Sequence, residues 1–435
     1  MKSLIRLVVI LTFFLVSELV SADPYHDVTS GHPKEISPAY FGVHFHRLLV
    51  QPAEHAVRTQ WPEIAFGTVR LWDSGTSWQD IAPHAGSWQF DRMDTWVDTT
   101  VAHQATVLYV LGSTPRWASA RPDEPCPYGL GCAAEAIRIE HWEEYVRRVA
   151  QRYGTRIGAY ELWNEPNFSD YARDRGAHGF YTGSIAKMVE MARAARKVLD
   201  VYSPNAKLCT PGFTNGPDRL ESFLAAGGNQ YVQAVCYHFY SDSTDDFVRN
   251  VKEVRAIMQR TGVASLPLWN TETGVERPAN VDPTSGVIPT TRDDSIARLA
   301  QMLILGAASG MEHFYYYAWD NDRSGMVTRN GDSLPGYQAL QRLQSWLLGS
   351  RLTGCSSRAD VVQCDGTRGT ERYLVMWAAK DAMRTVNAPL GWTIAGVDPL
   401  LGGTSSLASA NNSGALSFAL GPVPVRVRIV RATGR

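Results

Sequence analysis

Two carboxylates carry the chemistry that this chain suggests. Glu165 stands in Asn164-Glu165-Pro166, at the end of the apolar segment Ala159-Tyr-Glu-Leu-Trp-Asn-Glu-Pro-Asn167. Glu272 closes a second apolar run, Leu266-Pro-Leu-Trp-Asn-Thr-Glu-Thr-Gly274. Proline cannot continue a central strand, so Glu165 sits where backbone pairing ends and a loop begins; the glycine after Glu272 marks a similar stop. Either acid alone reads as an ordinary strand-terminating turn. Together they are more informative, because they lie 107 residues apart (165 to 272). In a barrel of alternating strands and helices that spacing is about three βα units of roughly 30 or more residues each, which puts both acids on one rim. Two acids facing one cavity meet the requirement of glycoside hydrolysis. One keeps a proton for the leaving oxygen, and the other is ionised to attack the sugar carbon or to activate water.

The elements that must position them follow from hydrophobic patterning. Eight short apolar runs read as strands: 40–46, 68–73, 105–112, 159–164, 207–212, 234–240, 266–272 and 312–319. Helical patterns lie between them. The clearest are 140–152, with Trp142, Tyr145, Val146 and Val149 on one stripe, then 182–201, 246–260 and 293–308. This alternation predicts an α/β fold, a (β/α)8 TIM barrel, over residues 23–349. After a last helix at 336–348 the texture changes to short β-branched runs such as Tyr373-Leu-Val-Met-Trp377 and Val423 to Val430, separated by Gly, Ser, Asn and Pro. Residues 350–435 therefore read as a small C-terminal β-sandwich, to which the residues ahead of Tyr40 are available to add a strand.

Lys2 and Arg6 precede the apolar run Leu7 to Val16, and Val20-Ser21-Ala22 has the small-residue pattern of a signal peptidase site. Residues 1–22 are thus expected to be a signal peptide, and the protein to be secreted or periplasmic; the run is too short for a stable membrane span, and an uncleaved anchor is the alternative. The six cysteines suit an oxidising compartment. Cys126 with Cys132, and Cys355 with Cys364, bracket short loops and are expected to form local disulfides. Cys209 and Cys236 lie in strand-like apolar segments and read as buried free thiols, with a bridge between neighbouring strands as the alternative. Lys plus Arg (42) nearly cancels Asp plus Glu (43), so charge gives no reason to expect a nucleic-acid partner. Thirteen Trp and eighteen Tyr fit stacking against sugar faces. No cofactor is expected, and the chain is expected to be a monomer.

The combination of Trp142-Glu-Glu-Tyr-Val-Arg-Arg-Val-Ala-Gln-Arg-Tyr-Gly154, Glu161-Leu-Trp-Asn-Glu-Pro-Asn167 and the late Glu272 resembles the clan A glycoside hydrolases, most closely family 39, with family 5 second. The resemblance covers the barrel and the trailing sandwich. It implies that Glu165 is the acid/base on the fourth strand, that Asn164 contacts a sugar hydroxyl, and that Glu272 on the seventh strand is the nucleophile. It implies retention of configuration through a covalent glycosyl-enzyme, with the two carboxyl groups about 5 to 5.5 Å apart. Arg70 and Tyr240 match positions that support the nucleophile, and His238 is placed to orient the network. Trp319 matches an aromatic floor under the sugar, and Trp72 and Trp117 are weaker aromatic candidates.

His44 and His46 alternate so as to point one way. A His-x-His pair can hold a metal, but no third ligand accompanies it at helical spacing, so no metal is expected and both are taken as sugar contacts. Asp73 is available to line the rim, or to cap a helix. The substrate implied is a polysaccharide or oligosaccharide. Two alternatives remain: exo action of the β-xylosidase or iduronidase type, and a noncatalytic carbohydrate-binding barrel.

Overall fold

The computed structural model describes residues 23–31, 33–49, 59–174, 179–275, 289–402 and 415–432. The proposed signal segment lies outside the described residues. Eight parallel strands form the barrel: β1 (Phe41–Val43), β2 (Thr68–Leu71), β3 (Thr106–Val110), β4 (Ile157–Glu161), β5 (Lys207–Cys209), β6 (Val235–His238), β7 (Leu268–Thr273) and β8 (His313–Tyr316). Their order around the sheet is β5-β4-β3-β2-β1-β8-β7-β6. Every strand read from the sequence is present, but except in β7 regular pairing stops earlier than the apolar runs do. Past the last paired residue the chain enters left-handed backbone, at Asp73 (φ 55°), Gly112 (φ 146°) and Glu165 (φ 40°). The side chains of interest therefore lie at the carboxyl ends of the strands: Arg70, Glu161, His238 and Glu272 among their last paired residues, and Asp73, Asn164, Glu165, Tyr240 and Tyr317 just beyond.

The seam between β5 and β6 closes the barrel, and its ladder is thin. Two isolated parallel bridges join it, Cys209 to Ala234 and Phe213 to Tyr237. The Thr210 hydroxyl adds two bonds to Cys236, accepting from its N–H at 2.9 Å and donating to its carbonyl at 3.0 Å. The Cys209–Cys236 disulfide crosses the same seam. This corrects the expectation of two free thiols. Strands adjacent in a closed barrel bring buried residues within bonding reach, which linear patterning does not show. Cys126–Cys132 and Cys355–Cys364 are bridged as expected.

The helices pack outside: α1 (Pro24–Thr29), α2 (Trp78–Ile81), α3 (Asp91–Ala102), α4 (Ile139–Tyr153), α5 (Ile185–Tyr202), α6 (Asp218–Ala225), α7 (Thr244–Arg260), α8 (Asp293–Ala308) and α9 (Pro335–Leu347). Their limits follow local chemistry. Ser184 and Ser243 accept backbone N–H bonds as N-caps of α5 and α7, Pro335 opens α9, and Gly154 (φ 51°) ends α4. The α4 stripe of Trp142, Tyr145, Val146 and Val149 is fully buried, as its spacing predicts.

Beyond α9 lie seven antiparallel strands: β9 (Arg351–Arg358), β10 (Val361–Arg368), β11 (Glu371–Ala378), β12 (Ala382–Asn387), β13 (Trp392–Pro399), β14 (Ala415–Leu420) and β15 (Val425–Arg431). A five-stranded sheet, β9-β10-β11-β15-β13, packs with the β12-β14 pair around Met376, Val386, Phe418 and Val427. Ahead of Tyr40 the chain supplies a helix and one bridge, Glu35 to Arg351, where a strand was anticipated. The α1 helix ties the sandwich to the barrel. Thr29 Oγ1 accepts from the Cys355 N–H at 2.7 Å, while the Tyr25 hydroxyl donates to Asp245 ahead of the body of α7 at 2.6 Å.

Candidate active site

Arg70, on β2, is the hub of the barrel mouth. Its side chain is fully buried, and its guanidinium donates from Nε to Glu161 (2.5 Å), from Nη1 to Glu272 (2.7 Å) and from Nη2 to Asn164 (2.7 Å). A buried guanidinium is tolerable only with such pairing. Burial works against its charge, but Glu161 and Glu272 outweigh that, so its pKa is raised and it stays cationic.

His238, at the end of β6, lies between the two candidate acids. Its Nδ1 is 2.9 Å from Glu165, and its Nε2 faces Glu161 at 3.6 Å and Arg70 Nη2 at 3.4 Å. Burial alone would discharge the ring. The charge of Glu272 and the hydrogen bonds to Glu161 and Glu165 prevail, and the pKa is pushed up to about 9. Glu161 is also fully buried, yet Arg70 and His238 hold its carboxyl below the ordinary value.

Glu272 has one oxygen on Arg70 and the other on the Tyr240 hydroxyl at 2.8 Å. Burial pushes its pKa up, and His238 and Arg70 pull it part of the way back. Both oxygens accept from donors, so the hydrogen bonding matches the carboxylate form. Glu165 keeps 22% of its side chain exposed. Its N–H donates to the Gly212 carbonyl at 2.9 Å, and Asn164 makes a single parallel bridge to Gly212. These contacts fix the left-handed turn that aims the acid outward. Carboxylate oxygens of Glu165 and Glu272 and a ring nitrogen of His238 all lie within 4.8 Å of one another. Such a triangle has the dimensions of a metal site, but the Arg70 cation already stands against Glu272, and a dication beside it would be repelled.

Above this cluster opens a cleft of about 1120 Å³, lined by Glu165, His238, Tyr240, Glu272, Tyr317 and Trp72 among others. Its volume and polar walls suit a hydroxyl-rich ligand.

No protein-family model matches the chain, and no curated protein matches it. Solved structures do. A family 39 glycoside hydrolase from the gut symbiont Bacteroides cellulosilyticus WH2 superposes with a TM-score of 0.66 over 92% of this chain and 83% of its own, at 18% identity. A monomeric β-xylosidase from Caulobacter crescentus CB15 gives 0.65 over 93% and 98%, at 14% identity. A family 30 endoxylanase from Clostridium papyrosolvens C71 gives 0.60 over 92% and 98%, at 13% identity. The chain has the fold of these hydrolases. At such identities the likeness is one of architecture, so the chemistry must be argued from the site.

Six residues named from the sequence converge in this cluster: Arg70, Asn164, Glu165, His238, Tyr240 and Glu272. Of the others, Trp72 and Asp73 line the cleft, whereas Trp319, Trp117, His44 and His46 do not. Trp319 is 1% exposed and packs edge-on against Phe66 (5.6 Å) and Tyr337 (5.2 Å), inside the wall between barrel and helices. Its place over the cleft is taken by Tyr317, two residues earlier. The backbone explains the exchange: Tyr317 N–H donates to Thr273 on the neighbouring strand, and Trp319 N–H donates to His44, so the two side chains leave the rim in different directions. Trp117 is half-buried, donating to the Ala82 carbonyl at 2.8 Å and meeting Trp78 edge-on. His44 is buried, with Nε2 at 3.2 Å from the Thr271 carbonyl; it and His46 each stand 5.1 Å from the Tyr317 ring, backing that tyrosine. Sequence reading passed over Glu161 and Tyr317. A signal for Glu161 was available, since an acid inside the apolar run Ala159 to Trp163 requires a buried cation.

Proposed function

We propose that this chain is a secreted retaining O-glycoside hydrolase acting on a polysaccharide or oligosaccharide by double displacement, with Glu165 as acid/base and Glu272 as nucleophile. The observation that carries the reading is the approach of Glu165 and Glu272 oxygens to within 4.8 Å across one cleft. Retaining enzymes need carboxyl groups about 5 to 5.5 Å apart, whereas inverting enzymes leave about 6.5 to 9.5 Å for a water.

Charge balance explains how one proton can cycle. With Glu165 protonated, Arg70 and His238 offset Glu161 and Glu272, and the buried cluster is neutral. Glu165 then gives its proton to the glycosidic oxygen as the C–O bond breaks, while a Glu272 oxygen bonds to the anomeric carbon. The ester has no charge, so the same two cations now balance Glu161 and an ionised Glu165. That carboxylate takes a proton from water, whose oxygen attacks the anomeric carbon and expels Glu272. Tyr240 and Arg70 hold the nucleophile in place throughout, and Asn164, fixed by Arg70, is positioned for a sugar hydroxyl.

The open cleft favours a polymer over a single terminal sugar. Glu165→Gln and Glu272→Gln variants should lose turnover of every substrate that the wild-type chain cleaves, in a panel of polysaccharides and aryl glycosides with products read by mass spectrometry. A 2-fluoroglycoside should add one sugar mass to the peptide bearing Glu272. Unchanged turnover in Glu165→Gln would remove the assignment.

A further inference from the structure

Asp73 is a cleft carboxylate that the proposed chemistry does not use. It follows β2 on left-handed backbone (φ 55°), a conformation that a non-glycine residue adopts only when its surroundings hold it there. Two phenols hold it. The Tyr128 hydroxyl donates to one oxygen at 2.5 Å, and the Tyr317 hydroxyl donates to the other at 2.6 Å. No cationic side chain among the described residues pairs with it.

Both tyrosines are themselves anchored. Tyr317 leaves β8 with His44 and His46 against its ring. Tyr128 stands on the Cys126–Cys132 disulfide hairpin and meets Trp72 and Phe180 edge-on or tilted, at 5.6 and 5.7 Å. Three separate loops thus converge to present a carboxylate without a cationic partner among the described residues, beside aromatic rings, in the cleft that holds Glu165 and Glu272. Burial and the charge of Asp73 keep both phenols protonated, with Glu272 adding to the effect, and Asp73 lines the same cleft as Glu272.

Each carboxylate oxygen accepts one phenol and has a lone pair left over. Among the described residues no further donor reaches Asp73, and the residue lines the cleft that holds Glu165 and Glu272. We propose that Asp73 is a sugar-binding residue that sets specificity: it accepts hydroxyl protons from an uncharged glycosyl unit beside the nucleophile and repels sugars that carry a carboxylate. The inference rests on the glycosidase reading above and narrows its substrate class to neutral glycans.

The test pairs 4-nitrophenyl glycosides of neutral pentoses and hexoses, and their polymers, with the corresponding hexuronides. The wild-type chain should prefer the neutral member of each pair. Asp73→Asn should raise KM for it about tenfold to a hundredfold, the loss expected for hydrogen bonds to a charged acceptor, with kcat changed much less. The neutral-to-uronide ratio of kcat/KM should fall by a similar factor. Tyr128→Phe, which leaves the carboxylate but loosens it, should give a smaller rise in KM at an unchanged ratio. Calorimetric binding of the neutral oligosaccharides to Glu165→Gln, with and without Asp73→Asn, separates affinity from turnover. If turnover depends on Glu165 but KM and the ratio are indifferent to Asp73→Asn, or if wild type prefers uronides, the inference fails and the glycosidase reading stands. If no panel member is cleaved by wild type or bound by Glu165→Gln, both fall together.

Discussion

His238 should make this protein lose stability as the pH rises from about 6.5 to about 9. In the unfolded chain the imidazole titrates at its ordinary value, 6.5; in the fold, burial opposes the charged ring, but Glu272, Glu161 and Glu165 outweigh it and raise the value to about 9. Below 6.5 both states hold the proton, and the folded form keeps its full advantage. Between the two values the folded protein still holds the proton while the unfolded chain releases it, so the advantage shrinks; above 9 neither state is charged and it is gone. At about 1.4 kcal/mol per pH unit, the gap of 9 less 6.5 corresponds to about 3 kcal/mol. Urea unfolding followed by tryptophan fluorescence at a series of pH values, in wild type and His238→Asn, measures it. All six cysteines are in disulfides, so thiol titration does not interfere. Burial holds His44 and His313 below their ordinary value, so they act at the acid end, where the unfolded chain takes up protons that the fold refuses. Wild-type stability should therefore fall by about 3 kcal/mol more than that of the variant over this interval. Parallel curves would refute the claim that the acids surrounding His238 hold it charged.

Three further outcomes follow from the same geometry. A Cβ at Gly212 would stand 2.1 Å from Glu161 Oε1 and 2.3 Å from His238 Nε2, so Gly212→Ala should displace both, destabilise the fold by about 1 to 3 kcal/mol, and lower kcat more than it raises KM. Replacing Cys209 and Cys236 together by Ser opens a loop spanning 27 residues at the barrel seam; the urea midpoint should drop by the equivalent of about 3 to 4 kcal/mol, and an unchanged midpoint would show that the ladder alone closes the barrel. Tyr240→Phe removes one of the two donors on Glu272. Burial raises the Glu272 carboxyl above its ordinary value, so the acid limb of the kcat/KM profile should lie above that value in wild type and move further up in the variant, with kcat lower by about tenfold.

The parts of this site that were legible in the sequence share a property: each is fixed by what ends a strand. Pro166 after Glu165 and Gly274 after Glu272 announce where pairing stops, and the count of apolar runs assigns those stops to strands four and seven. That places two acids on one rim without knowledge of any contact. The disulfide at the seam could not be read this way, because Cys209 and Cys236 become neighbours only when the fifth and sixth strands meet in a closed sheet. Trp319 was misplaced for a related reason. The apolar run from Glu312 to Trp319 continues past the last regular residue, Tyr316, and alternation loses its meaning once the strand ends. Two residues of irregular backbone then decide which ring faces the cleft. Hydrogen bonds to two different neighbours, Thr273 and His44, settle it in favour of Tyr317.

Glu161 shows how a missed residue changes the chemistry as well as the inventory. A reading with Glu165 and Glu272 alone leaves Arg70 and His238 in excess, two cations against one ionised acid, a buried charge without a partner. The fully buried Glu161, which accepts from Arg70 and Thr271 and faces His238, supplies the missing negative charge. With it present, the double displacement proposed above starts from a neutral cluster with Glu165 protonated, and an ester at Glu272 would shift the balancing negative charge to Glu165. In that proposal a fully buried residue beneath the cleft supplies the charge that keeps the cluster balanced at both stages of the displacement.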